Sequence, residues 1–129
     1  MVTSDKVQVT SQGNLTGYRK LRVWQMADRL AHEVYDITKF FPRSEQFGMS
    51  SQLRRAALSI PTNLVEGQAR KSRREFKQFV SIALGSLAEV EYLLEFAQAE
   101  GVLSRERHQA AETTREEVGR LLWGFYESL

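Results

Sequence analysis

Two histidines and a few carboxylates are the residues of this chain that could move protons or hold a metal. His32 and Asp36 lie one helical turn apart, as do His108 and Glu112. That spacing serves acid–base chemistry, but it serves a surface ion pair equally well, and for a lone His on a helix the ion pair is the favoured reading. Helical bundles can carry two metals between paired Glu-x-x-His motifs. No Glu here is followed three residues later by His, so that ligand set is missing. Glu89, Glu91 and Glu95 group on one stretch, where Glu91 and Glu95 are expected to face solvent. The chain has no cysteine, no Gly-x-Gly-x-x-Gly and no phosphate loop ending in Gly-Lys-Ser/Thr. The expectation is a protein that is not an enzyme and uses no cofactor and no metal.

Positive charge is more suggestive. Arg54, Arg55, Arg70, Lys71, Arg73, Arg74 and Lys77 concentrate around two consecutive predicted helices. Arg73 and Arg74 fall in the first turn of a helix, where a cation opposes the helix dipole at a cost of a few tenths of a kcal/mol. Beside free backbone N–H groups they would make a good anion or phosphate site. A solvated basic turn, balanced by acids elsewhere, fits the same pattern.

A polar set borders the apolar stripe. Arg55, Ser59, Asn63 and Glu66 step by four, four and three, so they line one edge of a helix. Ser86 and Glu89 on the next helix are candidates to face them. Half-buried charges persist only when paired and hydrogen-bonded. The spacing therefore predicts an Arg55–Glu66/Glu89 network whose role is structural, fixing helix register or a subunit contact, rather than catalytic. Trp24, Tyr35, Trp123 and Tyr126 sit at or beside stripe edges. They would leave an apolar patch that marks an interface, or else pack at the bundle ends.

The elements that position these residues are helices. Ala, Leu, Glu, Arg and Gln abound, and the chain has two prolines. The first helix is expected from about Leu21 to Phe40, with Val23, Trp24, Ala27, Leu30, Val34, Ile37 and Phe41 on one stripe, ended by Pro42. The second starts between Ser44 and Met49 and carries Met49, Leu53, Ala56, Ile60 and Leu64. Pro61 inside it predicts a kink at the carbonyl of Ala57, which Ser59 and Thr62 could help satisfy. Ser72 and Glu75 form a capping box for the third helix, whose stripe is Phe76, Val80, Ala83, Leu87, Val90, Leu94 and Ala97, closed by Gly101. Ser104 caps the fourth, with Ala111, Thr114, Val118, Leu121, Leu122 and Phe125 on its stripe. The prediction is an all-α fold, an antiparallel up-down four-helix bundle over residues 18–129, behind a flexible tail of residues 1–17.

Length and composition set the remaining bounds. The chain has 129 residues, one domain's worth, and a formal net charge of +2. No segment approaches the roughly 20 apolar residues of a membrane helix, and Met1 to Lys6 do not begin a secretion signal. A cytoplasmic location is expected.

The run Gln52-Leu53-Arg54-Arg55-Ala56-Ala57-Leu58-Ser59-Ile60-Pro61-Thr62-Asn63-Leu64-Val65-Glu66-Gly67 is long and unusual. It resembles the signature of a four-helix-bundle family first described from proteins encoded in intervening sequences of bacterial large-subunit ribosomal RNA. That family includes the accessory variability protein of diversity-generating retroelements. Leu21-x-Val23-Trp24-x-x-Ala27 and Phe76-x-x-Phe79-x-x-Ile82-Ala83-x-Gly85-Ser86-Leu87-x-Glu89 agree with it, as does the short final helix. The resemblance spans about Tyr18 to Leu129. It implies a homopentameric barrel without enzymatic activity. In the retroelement branch it further implies binding of RNA or DNA through basic surface and association with a reverse transcriptase. Arg54, Arg55, Arg70, Arg73 and Arg74 match the family's basic positions. A protein-interaction scaffold with no nucleic-acid role is the alternative.

Overall fold

The computed structural model describes residues 17–129, so the expected tail lies outside the described residues except for Gly17. Four helices account for the body of the molecule: α1 Arg22–Thr38, α2 Met49–Gln68, α3 Arg73–Ala99 and α4 Arg105–Ser128. Short 3₁₀ turns, Gly17–Lys20 and Arg43–Glu45, precede α1 and α2. No strand occurs among the described residues.

Local chemistry explains the helix ends. α1 stops short of the expected Phe40 because Lys39, Phe40 and Phe41 each donate three residues back, which tightens the last turn. Phe41 is thereby folded into the core. The Ser72 hydroxyl accepts from the Glu75 backbone N–H at 3.1 Å and starts α3. The Glu75 carboxylate returns to the Ser72 hydroxyl at 3.3 Å, not to its backbone N–H, so the predicted box closes through side chains. At the far end Gly101 takes a φ of +77°, and Val102 and Gly101 donate to the carbonyls of Ala97 and Gln98. That paired closure needs a left-handed residue, which glycine supplies without a Cβ penalty. Ser104 caps α4 by accepting from Arg107 N–H at 3.2 Å.

α2 continues through Pro61, which is buried. Neither Ser59 nor Thr62 serves the freed Ala57 carbonyl. Thr62 donates to Leu58 O at 2.8 Å, and the Asn63 amide donates to Ser59 O at 2.8 Å.

Each helix packs on its sequence neighbours, and α4 closes against α1. Short connections make those neighbours antiparallel, so the described chain is an up-down four-helix bundle. The core is the predicted seam: Leu30 and Val34 from α1, Leu53, Ile60 and Leu64 from α2, Val80, Val90 and Leu94 from α3, Val118 and Leu122 from α4, all fully buried. α2 and α3 make the most extensive contact. At Gly67 the two come so close that a Cβ would lie 2.7 Å from Phe76 Cδ1 and 2.9 Å from Phe79 Cβ.

Candidate nucleic-acid interface

The up-down topology gathers the end of α2, the start of α3, the end of α4 and the approach to α1 at one end of the bundle. Residues 66–77 hold five cations and two carboxylates. Arg70 stacks over the Phe79 ring at 4.7 Å, and Lys77 over the Tyr126 ring at 4.6 Å. Arg73 donates to the Ser128 carbonyl at 2.7 Å. That contact offsets Arg73's unfavourable place at the start of α3, because the last carbonyls of α4 carry partial negative charge. Lys71 and Arg74 are exposed.

The 3₁₀ turn before α1 packs against α2 and adds two cations that the sequence reading left out, Arg19 and Lys20. Arg19 stacks on Tyr18 at 4.7 Å, and its carbonyl accepts from Gln25 Nε2 at 2.8 Å. The signal was available in sequence: in an up-down bundle the start of α1 and the end of α2 share an end. Among the described residues, Arg19, Lys20, Arg70, Lys71, Arg73, Arg74 and Lys77 form no ion pair with a carboxylate. Arg19, Arg70 and Lys77 lie on rings and Arg73 on a carbonyl, contacts that leave their positive charge in place.

Arg54 and Arg55 do not belong to this end. They precede the end of α2 by about 20 Å of helix. Arg54 is tied to α1, donating through Nε to Thr38 Oγ1 at 2.7 Å while its guanidinium lies 4.7 Å over the Tyr35 ring. Arg55 is exposed on the outer side of α2. The seven expected cations are thus two groups. Their concentration around two consecutive helices groups them in sequence, and the length of α2 separates them in space.

The polar set also divides. Ser86 Oγ donates to Ser59 Oγ at 2.8 Å, and Asn63 Nδ2 reaches Ser59 Oγ at 3.0 Å, so three half-buried groups join α2 to α3. Arg55, Glu66 and Glu89 are exposed on the protomer and make no ion pair with one another. The expected charged network within one chain is therefore replaced by a small neutral one.

The charged network that does form lies between α3 and α4 and was not foreseen. Arg115, whose side chain is 12% exposed, is held by Glu112 through two hydrogen bonds and sits 3.7 Å from Glu91. Glu91 was expected to face solvent. The Glu112 hydrogen bond raises the Arg115 pKa further above its ordinary value, against the opposing effect of burial and with help from the charges of Glu112, Glu91 and Glu116. Glu117 is held below its ordinary value, first by its hydrogen bond to Arg120 and then by the charges of Arg120 and Arg22, while burial opposes the shift. Glu112 and Glu117 of α4 are therefore engaged by arginines on α1 and α4, away from the basic end. A groove of about 330 Å³ opens beside Arg115, walled by Leu84, Ala88, Gly119 and Trp123.

Neither histidine pairs as its spacing suggested. His32 Nε2 lies 3.6 Å from Asp28, and Asp36 pairs with Lys39. Glu112 is taken by Arg115, which leaves His108 Nε2 buried without a hydrogen-bond partner. Of the edge aromatics, Tyr35 and Trp123 are exposed, whereas Trp24 and Tyr126 are half-buried. Trp24 meets Tyr18 edge-on at 4.9 Å. No described helix is long and apolar enough to cross a membrane.

The fold and sequence have known counterparts. A family model described as 23S rRNA-intervening sequence protein matches residues 19–124. A solved structure from Bacteroides thetaiotaomicron, described as a protein of unknown function from the S23 ribosomal protein family, superposes with a TM-score of 0.76 at 27% identity. The match covers 81% of this chain and 95% of that one. No curated protein matches the chain. With its four-helix bundle and a family match over most of its length, the chain belongs to the 23S rRNA-intervening sequence protein family.

Proposed function

We propose that this chain is a non-enzymatic, self-associating bundle that binds RNA or DNA through the end formed by the α2–α3 turn. One observation carries the reading: seven cations converge at that end and none is neutralised by a carboxylate among the described residues. Phosphates supply the complementary charge. Lys71 and Arg74 are free to reach them, while Arg70, Arg73 and Lys77 are pre-positioned by their rings and carbonyl. The helix start at Arg73 adds backbone donors of the right sign. The pentameric barrel and the association with a reverse transcriptase rest on the family resemblance. A pull-down with the tagged chain, assayed for reverse-transcriptase activity, tests the latter.

The direct test is a salt titration of binding to a labelled single strand and a labelled duplex. Four or five phosphate contacts predict that log K falls with log salt at a slope of roughly −3 for the single strand and roughly −4 for the duplex. Affinity that is absent at low salt, or that does not change with salt, rules the reading out.

A protein-interaction role has its own observation. Phe40, Phe47 and Phe96 are exposed near the opposite end of the bundle, with Arg107 stacked 3.6 Å from the Phe40 ring. A partner recovered from nuclease-treated lysate, and lost with Phe40→Ser and Phe47→Ser, supports that second use.

A further inference from the structure

The groove between α3 and α4 takes no part in the nucleic-acid reading. Its volume of about 330 Å³ lies at the lower end of the range for small-molecule sites. It exists because the facing side chains are small, Ala88 on α3 and Gly119 on α4. A Cβ on Gly119 would lie 3.4 Å from Leu87 Cδ2, so the glycine keeps open a space that a side chain would begin to fill. Helix stability alone favours alanine at such a position. One wall is the indole of Trp123, 55% exposed and packed edge-to-face with Tyr126 at a centroid distance of 5.8 Å.

The charges around the groove are unequally satisfied. Glu112 holds Arg115 through two hydrogen bonds, and Glu117 holds Arg120 through two more. Neither Glu112 nor Glu117 lines the groove, so both lining arginines are neutralised from outside it. The two carboxylates that do line it, Glu91 on α3 and Glu116 on α4, are therefore in surplus. Glu116 is exposed and forms no ion pair among the described residues. Glu91 stands 3.7 Å from Arg115, which is already paired.

We propose that this groove binds a free linear triamine, an alkyl chain with an ammonium group at each end and one within it. Three features select that class. Surplus carboxylates on both walls attract a cation and repel a phosphate. The apolar floor of Leu84, Ala88 and Gly119 suits methylenes, whereas a bare metal ion needs oxygen ligands all round. Trp123 supplies a second cation subsite, the face of an indole. Glu116 and Trp123 are two turns apart on the same side of α4, about 10 Å along the axis. An extended triamine of spermidine's length spans that distance, and a four-carbon diamine does not. A lysine or arginine from another protein brings one charge and leaves one subsite empty.

The test titrates the intact chain with spermidine at near-physiological salt, reading tryptophan emission and calorimetry, with circular dichroism to verify folding. Trp24, the chain's other tryptophan, lies on α1 against Tyr18 and serves as the internal reference. One triamine per chain should bind saturably and shift the emission of Trp123. In calorimetry, Trp123→Ala should weaken binding about threefold or more. Glu91→Gln with Glu116→Gln should weaken it about tenfold. Ala88→Leu, at an exposed position, should abolish it by filling the floor. Butylamine, which reaches one subsite only, should bind at least about tenfold more weakly. No saturable change up to about 5 mM spermidine overturns the proposal. Binding that survives both A88L and E91Q/E116Q overturns it by placing the amine elsewhere. Equal binding of butylamine or Mg²⁺ overturns it by reducing the effect to a diffuse negative field. A lysine-rich peptide that shifts Trp123 emission where spermidine does not overturns it in favour of a protein-docking groove.

Discussion

Gly67→Ala adds one methyl group at the point where α2 and α3 come closest. Two effects oppose each other. Alanine is favoured over glycine in a helix interior by about 1 kcal/mol. Against that, the new Cβ would lie 2.7 Å from Phe76 Cδ1 and 2.9 Å from Phe79 Cβ. The Phe76 ring is pinned edge-on by Phe125 at a centroid distance of 5.2 Å. Phe79 Cβ is attached to the α3 backbone and cannot swing aside, so the helices must separate by several tenths of an ångström. Overpacking of this kind costs about 1–3 kcal/mol. With no soft escape the upper part of that range applies, which leaves a net loss of about 1–2 kcal/mol. For a domain of this size that lowers Tm by roughly 4–7 °C. The assay is thermal unfolding by circular dichroism at matched protomer concentration, since assembly makes Tm concentration-dependent. Gly124→Ala is the control. Nothing lies within 4 Å of its Cβ position, so alanine should be neutral or stabilising there by up to about 1 kcal/mol. A G67A protein melting at or above the wild-type temperature would refute the close-approach argument.

Other consequences can be measured separately. Lys71→Glu with Arg74→Glu should reduce nucleic-acid affinity at least tenfold at low salt while leaving the helical signal unchanged, because neither side chain supports the fold; a filter-binding titration reads this out. Arg115→Ala removes a mostly buried guanidinium and strands Glu112, so urea unfolding should show a loss of about 1–3 kcal/mol. Glu117 is held below its ordinary pKa in the fold, so its pairing with Arg120 and Arg22 contributes fully above the ordinary carboxylate range and is lost as pH falls through the lowered folded value. The stability gap between wild type and Glu117→Gln should accordingly be greatest near neutral pH and close in acid. A gap that is constant through the acid range would contradict the assigned pairing.

Different parts of the molecule were legible to different depths. The α3 stripe from Val80 to Ala97 was read correctly because its steps of three and four face one direction in any helix, and Ser72, Gly101 and Ser104 mark ends through bonds to residues within a few positions. The end of α1 was misjudged, because the tightened turn after Thr38 is driven by Phe41 seeking the core, a tertiary demand. Charge was harder. Arg54 reads as part of a basic cluster and is a strut to α1; Glu91 is 45% exposed, as expected, yet also lies 3.7 Å from Arg115; His108 loses its expected partner to the same arginine.

Sequence by itself determined the helices, their order and the residues that seal the core, since each depends on periodicity and on caps a turn away. Only the tertiary structure decided which long side chains meet and which cations stay unneutralised. An arginine can reach several elements, and its choice depends on inter-helix register and on rings and carbonyls contributed from distant positions. The basic end exists because four chain segments arrive at one place, from Arg19 to Ser128, and no local pattern contains that information.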